Sequence, residues 1–460
     1  MAEVLDRINS FVWGVPALVL ILGVGIYFSI STGFAQLRLL PRAVRSFLGS
    51  VTGKNSASFK ALCTALAATV GTGNIVGVAG AIAIGGPGSI FWMWICGILG
   101  MITKFAEAVL AVCFQHRDSK GSMIGGPMYM IQKGMGKNWK WLGTVYCFLG
   151  VIAAFGMGNA TQINAVSDGV CSVMEYFGSE PSTTGKLVIG TLLAVMAGVC
   201  LLGGARRIGN VAMMLVPFAS VSYILLSLGA LIVHVQQLPS ALEAIVRGAF
   251  CPGAVTGGMI GSLMTCLRVG ASRGVFTNEA GMGTAAIAHG TVETSQPINQ
   301  GLMGIMEVFL DTLVICTMTA LVILTSGISV PYGTDEGAAL TTRAFACTYG
   351  SGVSIPIALF LCCFAFATML GWGLYGLQCA RYLFGDRVWK SFVFLQMGAS
   401  IAGVLLNTGM VWMIAETVNG LMAIPNLIAL AALSPVLLKC LKEYEKERPL
   451  DAPRSINRRL

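Results

Sequence analysis

Charge is what this chain has least of. Of its 460 residues only 11% are Asp, Glu, Lys or Arg, where a soluble domain carries about 25%. Histidine occurs three times, at His116, His234 and His289, each in or near a predicted loop, with no H-E-x-x-H pattern. A metal-dependent intramembrane hydrolase therefore has no ligand set to work with. The 14 cysteines are scattered, mostly inside apolar runs, with no C-x-x-C spacing. They read as small buried hydrophobes, which argues against a zinc site or a disulfide framework. No charged n-region with a small-residue cleavage motif opens the chain, so the first apolar run reads as a retained span and not a signal peptide.

Long apolar runs fill the place that charge leaves. The chain is 55% hydrophobic and holds 58 glycines, and a membrane-spanning helix needs roughly 20 mostly apolar residues. Eleven such segments are predicted, at 12–31, 58–85, 88–115, 140–173, 184–203, 207–233, 256–272, 300–328, 353–380, 388–407 and 410–438. The fold class that follows is an all-α integral membrane protein with 11 transmembrane helices. The seventh segment is Gly-rich, and the polar run after it reads as a helix re-entering from the cytoplasmic side.

The net charge of +9 resolves into topology. Allotted to alternate loops, twenty-four Lys and Arg fall on one side and four (Arg7, Lys186, Arg247, Arg343) on the other, with Lys104 near a span end. The rich side takes Arg38, Arg117, Arg206, Arg268, Arg273, Arg381 and the tail from Lys439 onward. The positive-inside rule then puts the N-terminus outside and the C-terminus in the cytoplasm of a cell-membrane protein. The excess charge is thereby accounted for and implies no nucleic-acid-binding face. The charged tail at 441–460 reads as a solvated end with some attraction to anionic lipid.

One stretch conflicts with its surroundings. "ATVGTGNIVG" (Ala68–Gly77) puts Gly71, Thr72, Gly73 and Asn74 inside a spanning segment. Hydrocarbon cannot hydrogen-bond a freed backbone, so such a break survives only where protein encloses it. Two readings fit. The glycines let helices approach closely, or the break exposes half-helix ends, whose N–H groups suit a carboxylate and whose carbonyls suit a cation. A second Gly-rich interruption lies at Thr256–Gly261, and with the first span set aside the two breaks fall in the first and sixth of ten spans. Corresponding breaks in two halves point to an inverted-repeat transporter with a site at mid-membrane.

Other polar groups lie at membrane depth. Glu307 and Asp311 are four residues apart on one helical face, and Glu416 lies in the last span. They are either paired with freed backbone, Lys104 or nearby Arg side chains, or form a proton relay. Arg273, Asn278 and Glu279 fall in a predicted cytoplasmic segment, where they form either an inner gate or a rigid cap.

Four longer motifs resemble the alanine/glycine:cation symporter family: "GGPGSIFWMW" (Gly85–Trp94), "RGVFTNEAGMGTAAIAHG" (Arg273–Gly290), "EVFLDTLVICTMTALVIL" (Glu307–Leu324) and "NGLMAIPNLIAL" (Asn419–Leu430). The likeness runs in order from about residue 58 to 435. Ser89 stands where Ala is usual and Thr277 where Ser is usual, both conservative changes. Met259 stands in place of an aromatic residue near the pocket, which bears on substrate size.

The resemblance implies a leucine-transporter type of fold, with one extra N-terminal span (1–57), two five-helix repeats (58–240 and 241–440) and broken first and sixth core helices. It implies sodium-driven uptake of a small neutral amino acid by a transporter that works as a monomer, and no enzymatic activity. Gly71, Thr72, Gly73 and Asn74 would hold the substrate carboxylate. Ala67 and Val70 would offer carbonyls to a sodium ion, completed by Ala365 and Thr368. Trp372 would wall the side-chain pocket, Gln162 would face it, and Gly258 and Met259 would belong to the broken sixth core helix. The rival readings are glutamine or another neutral amino acid, proton coupling through Glu307 and Asp311, an ion channel and an intramembrane enzyme. A channel needs a filter ring, usually from several subunits, and two unlike breaks in one chain suit a single-chain site better.

Overall fold

A backbone in hydrocarbon must satisfy its own hydrogen bonds, and the helix does so within one segment. The computed structural model of the chain obeys this almost throughout. It describes residues 7–447 apart from 10, 14, 52–55, 120, 181, 261, 295, 335, 336, 406 and 407. The main helices, in order, are α1 (Val15–Ser31), α2 (Leu40–Val51), α3 (Ser56–Thr69), α4 (Val76–Gly85), α5 (Gly88–Cys113), α6 (Lys140–Phe155), α7 (Thr161–Tyr176), α8 (Thr183–Leu202) and α9 (Gly204–Val233). They continue as α10 (Leu238–Phe250), α11 (Leu263–Asn278), α12 (Thr284–His289), α13 (Pro297–Val308), α14 (Thr317–Thr325), α15 (Ala338–Tyr349), α16 (Ser354–Phe384), α17 (Trp389–Gly403), α18 (Thr408–Ala432) and α19 (Ser434–Glu447). A two-residue hairpin pairs His116–Arg117 antiparallel with Met123–Ile124.

Among the described residues, seven helical stretches are long and apolar enough to cross a membrane on their own. Two of them contain a wide π turn, at Gly156–Ala160 between α6 and α7 and at Phe309–Cys316 between α13 and α14. Every segment expected from the sequence to be helical contains helix. The seventh is displaced: it begins at Leu263 and not near 256, and the unforeseen α10 precedes it. The tail is also corrected. Its first part is not a solvated end: α19 buries Leu437, Leu441 and Tyr444, and Glu445 pairs with Arg38 at 2.7 Å. Residues 448–460 lie outside the described part.

Two helices are interrupted at depth, and they run antiparallel. α4 packs along α11 and α3 along α12, so the second half of one lies beside the first half of the other. α5 and α13 complete this bundle. Glycine makes the approach tight: a Cβ at Gly304 would stand 2.9 Å from the Lys104 carbonyl oxygen, and one at Gly301 would stand 2.6 Å from the Phe105 ring. α16 passes behind the first break, where a Cβ at Gly371 would lie 2.7 Å from Ala68 Cβ. Large apolar side chains left exposed, such as Met214, Phe218, Leu225 and Ile232 on α9, form an outer face suited to lipid.

The bundle also carries buried charge. Lys104 on α5 donates to Glu307 on α13 at 2.7 Å, with neither side chain exposed. His289 Nε2 lies 3.4 Å from the other Glu307 oxygen. Its Nδ1 meets Gln300 at 3.0 Å, and Gln300 donates to Ser58 at 2.7 Å. Lys104 is thus a fully buried partner and not a residue of a span end, and His289, the last residue of α12 beside the loop that follows, is buried in the core. Breaking a buried pair strands a desolvated charge, whereas removing both partners is close to neutral. Lys104→Met should therefore destabilise the protein by about 3–5 kcal/mol, read as a lowered melting midpoint in detergent. Lys104→Met combined with Glu307→Leu should recover most of that loss.

Candidate functional site

The first break is built by diverting backbone donors. In a continuing helix the N–H of Gly71 would bond to the carbonyl of Ala67. It donates instead to Asn74 Oδ1 at 2.9 Å. The Thr72 N–H and hydroxyl both turn to Gln162 Oε1, at 3.3 and 2.9 Å, and the Asn74 N–H turns to the Gly71 carbonyl at 3.3 Å. The carbonyls of Ala67, Ala68, Thr69 and Val70 are thereby left without their helical donors. Thr72–Asn74 closes into one 310 turn before α4 starts. Among the described hydrogen bonds none engages the Gly73 N–H. Gly71 Cα faces α16: a Cβ there would lie 2.6 Å from Thr368 Oγ1, a buried hydroxyl with no partner among the described residues.

Gly71, Thr72, Gly73, Asn74, Gln162 and Thr368 thus converge on one buried point. Ala67, Val70 and Ala365 are buried around it. The freed carbonyls and the unpaired Thr368 hydroxyl make a neutral oxygen set that fits a monovalent cation.

The second break lies elsewhere than the sequence suggested. It spans 279–283, between α11 and α12. Gly258 sits in a turn at φ 86°, and Met259 is 67% exposed, so neither reaches the interior. A Gly-rich turn and a Gly-rich break read alike in a sequence; here the glycines of 257–258 serve a turn before the helix, and Gly281 and Gly283 serve the break, at φ 90° and 78°. The segment holding Arg273, Asn278 and Glu279 is correspondingly not a cytoplasmic loop. Glu279 takes a left-handed φ of 55° and is fully buried. It accepts from Trp372 Nε1 at 2.5 Å and from Thr284 Oγ1 at 2.6 Å. Trp372 therefore reaches from α16 to the second break, and the base of its side chain packs against Gly158 in the π turn, where an added Cβ would stand 2.1 Å from Trp372 Cβ.

A residue that the sequence motifs did not single out holds this break. Glu107 Oε1 accepts from the N–H groups of Gly281 and Gly283, at 2.9 and 3.0 Å, and from Asn426 Nδ2 at 2.8 Å. The signal was present: Glu107 is one turn from Lys104 inside an otherwise apolar run. Between the breaks lie Asp311 and Asn278. Asn74 Nδ2 donates to Asp311 Oδ1 at 2.6 Å, and Asn278 Oδ1 accepts from the Ala280 N–H at 2.9 Å. Glu307 and Asp311 were expected on one face. Both are buried, with different hydrogen-bond partners, Lys104 for one and Asn74 for the other.

Above the first break stands a stack. A Cβ at Gly73 would lie 3.4 Å from the Phe276 ring. Phe276 stacks on Trp412 at 4.9 Å, and the Arg273 guanidinium lies over Trp412 at 5.1 Å while pairing with Glu416 at 3.1 Å. Arg268 and Arg273 share a small cavity with Ile84 at the end of α4. Lys60, Arg117, Arg206 and Arg381 line a cavity of about 580 Å³ at the opposite end, between α3 and α16. Arg268 and Arg273 thus leave the basic side to which the loop count assigned them, because their helix starts later than predicted.

The chain matches the Sodium:alanine symporter family over residues 1–457. It is 40% identical to the sodium/alanine symporter AgcS of Methanococcus maripaludis, with 98% of each chain covered. It is 36% identical to the probable sodium/glutamine symporter GlnT of Bacillus subtilis, over 97% of this chain and 92% of the relative. Among solved structures it is similar to MhsT in complex with L-phenylalanine, at a TM-score of 0.57 and 14% identity, covering 84% of this chain and 97% of MhsT. That likeness concerns the fold, which is of the leucine-transporter type. With the family matched over nearly every residue and a relative at 40% identity across its whole length, this multi-pass membrane protein belongs to the sodium:alanine symporter family.

Proposed function

We propose that the chain is a sodium-coupled symporter that takes up a small neutral amino acid, alanine or glycine, by alternating access across the cell membrane. The observation that carries this reading is the first break, where an unengaged Gly73 N–H, freed carbonyls and an orphaned Thr368 hydroxyl meet at one buried point. An amino-acid carboxylate suits the N–H side, at Gly71, Thr72, Gly73 and Asn74. Sodium is a co-substrate here, taken by the carbonyls of Ala67 and Val70 with Ala365 and Thr368. Gln162 and Trp372 border the site. Phe276 and Thr277 crowd Gly73, which favours a small side chain.

Eleven crossing segments serve this reading: α1, α3 with α4, α5, α6 with α7, α8, α9, α11 with α12, α13 with α14, α16, α17 and α18. Residues 58–240 and 241–440 form two five-helix inverted repeats after an extra first span. The end holding Lys60, Arg117, Arg206 and Arg381 faces the cytoplasm, by the positive-inside rule, which leaves the N-terminus outside. The Arg273–Glu416 pair over Trp412 and Phe276 is then an outer gate. Glu279, Asn278, Glu307 and Asp311 sit inside the moving bundle. The transporter works as a monomer.

Uptake of labelled alanine, glycine and glutamine into proteoliposomes tests the whole. Alanine or glycine should accumulate with an inward sodium gradient and not with a pH gradient in its place; accumulation under the pH gradient alone would assign the coupling to protons. Thr368→Ala should raise the sodium concentration for half-maximal uptake by tenfold or more, about the effect of losing one charge-assisted contact, with the alanine-to-glycine ratio unchanged. An unchanged sodium curve would remove Thr368 from the ion site. Gly73→Val should abolish amino-acid binding in a protein that still inserts and elutes as a single species, since a Cβ there already stands 3.2 Å from Thr277 Cγ2.

A further inference from the structure

The two breaks are joined by a continuous chain of hydrogen bonds. Gly71 N–H donates to Asn74 Oδ1 at 2.9 Å, and Asn74 Nδ2 donates to Asp311 Oδ1 at 2.6 Å. From the other side, Ala280 N–H donates to Asn278 Oδ1 at 2.9 Å, Asn278 Nδ2 donates to Thr312 Oγ1 at 3.1 Å, and the Thr312 hydroxyl donates to Asp311 Oδ2 at 2.8 Å. All four side chains are fully buried. Every bond points the same way, toward Asp311.

We infer that Asp311 is a positioning residue that couples the geometry of the two breaks through this chain. Its two oxygens accept from both directions, so both amides must turn their NH2 groups toward it. That leaves Asn74 Oδ1 for the Gly71 N–H and Asn278 Oδ1 for the Ala280 N–H. An amide turned the other way would set donor against donor in a buried site, which is the expensive arrangement. One carboxylate therefore decides how both asparagines face and, through them, where two backbone N–H groups in separate helices are held.

Asp311 lies in the wide π turn at Phe309–Cys316, from which it meets Asn74. Such turns recur at functional sites because they re-aim one side chain within a helix. Asn74 Nδ2 also lies 3.3 Å from the Asp311 carbonyl oxygen and 3.2 Å from Cys316 Sγ, so the same turn surrounds the amide on its donor side. In the transport reading, on which this consequence rests, a change at the first break on substrate binding is felt at the second without direct contact between them.

Hydrogen–deuterium exchange of the full chain in lipid nanodiscs tests the coupling without any ligand. Asn278→Ala should raise exchange about tenfold in peptides covering 70–75, the break it does not belong to. Asn74→Ala should do the same in peptides covering 279–283. The factor is the scale of losing one hydrogen bond to a charged group. Asp311→Asn should raise exchange at both breaks. Thr319→Val, which removes a bond to Tyr223 farther along the same helix, should raise neither. Exchange that rises only in the break carrying the substitution overturns the proposal. The two asparagine variants are decisive alone if Asp311→Asn fails to fold. Sodium-dependent alanine binding to the unmodified protein in the same nanodiscs tests the transport reading separately. Its absence would sink that reading, while cross-break exchange would still decide the role of Asp311.

Discussion

A backbone N–H or C=O without a partner in hydrocarbon costs several kcal/mol, and this protein breaks two helices where that penalty applies in full. The centre of the structure follows from how the penalty is avoided. At the first break the N–H groups of Gly71 and Thr72 pass to Asn74 and Gln162. At the second, those of Ala280, Gly281 and Gly283 pass to Asn278 and Glu107. Each rescuing side chain is itself polar and buried, so each needs partners of its own. That requirement spreads outward to Asp311, Thr312 and Asn426 and accounts for so much polarity in the interior of an apolar chain.

The rescue is unequal, and the inequality bears on function. At the second break the protein supplies acceptors for the N–H groups of Ala280, Gly281 and Gly283, from Asn278 and the Glu107 carboxylate. The first is left with one unengaged N–H, four carbonyls without helical donors and one orphaned hydroxyl. There an outside carboxylate has an unmet N–H to meet, beside oxygens suited to a cation. Buried charge is concentrated in the bundle of α3, α4, α5, α11, α12 and α13, where Lys104 with Glu307 and His289, then Glu107, Glu279 and Asp311, each anchor a buried hydrogen-bond network. Such a network cross-links helices that otherwise touch through glycine, and it suits a bundle that turns as one body in the proposed cycle. Its polar ties to the rest of the protein include Trp372 to Glu279 and Asn426 to Glu107.

Much of the fold was legible because hydrophobic runs and the break at Gly71–Asn74 are local signals. A span is recognised by its length, and a break by polar residues where none should be. The motif around Arg273–Gly290 marked the right segment, yet its depth was misread: a helix interrupted at mid-membrane has the composition of a polar loop. The same ambiguity made Gly257–Gly258 look like the break. Glycine is needed wherever φ is positive, in a surface turn as in a buried one, and only packing tells the two apart.

By itself the sequence determined that the chain is helical, lies in a membrane and interrupts its first core helix, since each of these depends on residues close together in the chain. Tertiary structure alone decided which polar residues meet. Asn74 and Asp311 are 237 positions apart, Glu107 and Gly283 are 176 apart, and Trp372 and Glu279 are 93 apart. No periodicity spans such distances. The π turn that holds Asp311 is likewise silent in the sequence, because one extra residue in a helical turn leaves the composition around it unchanged.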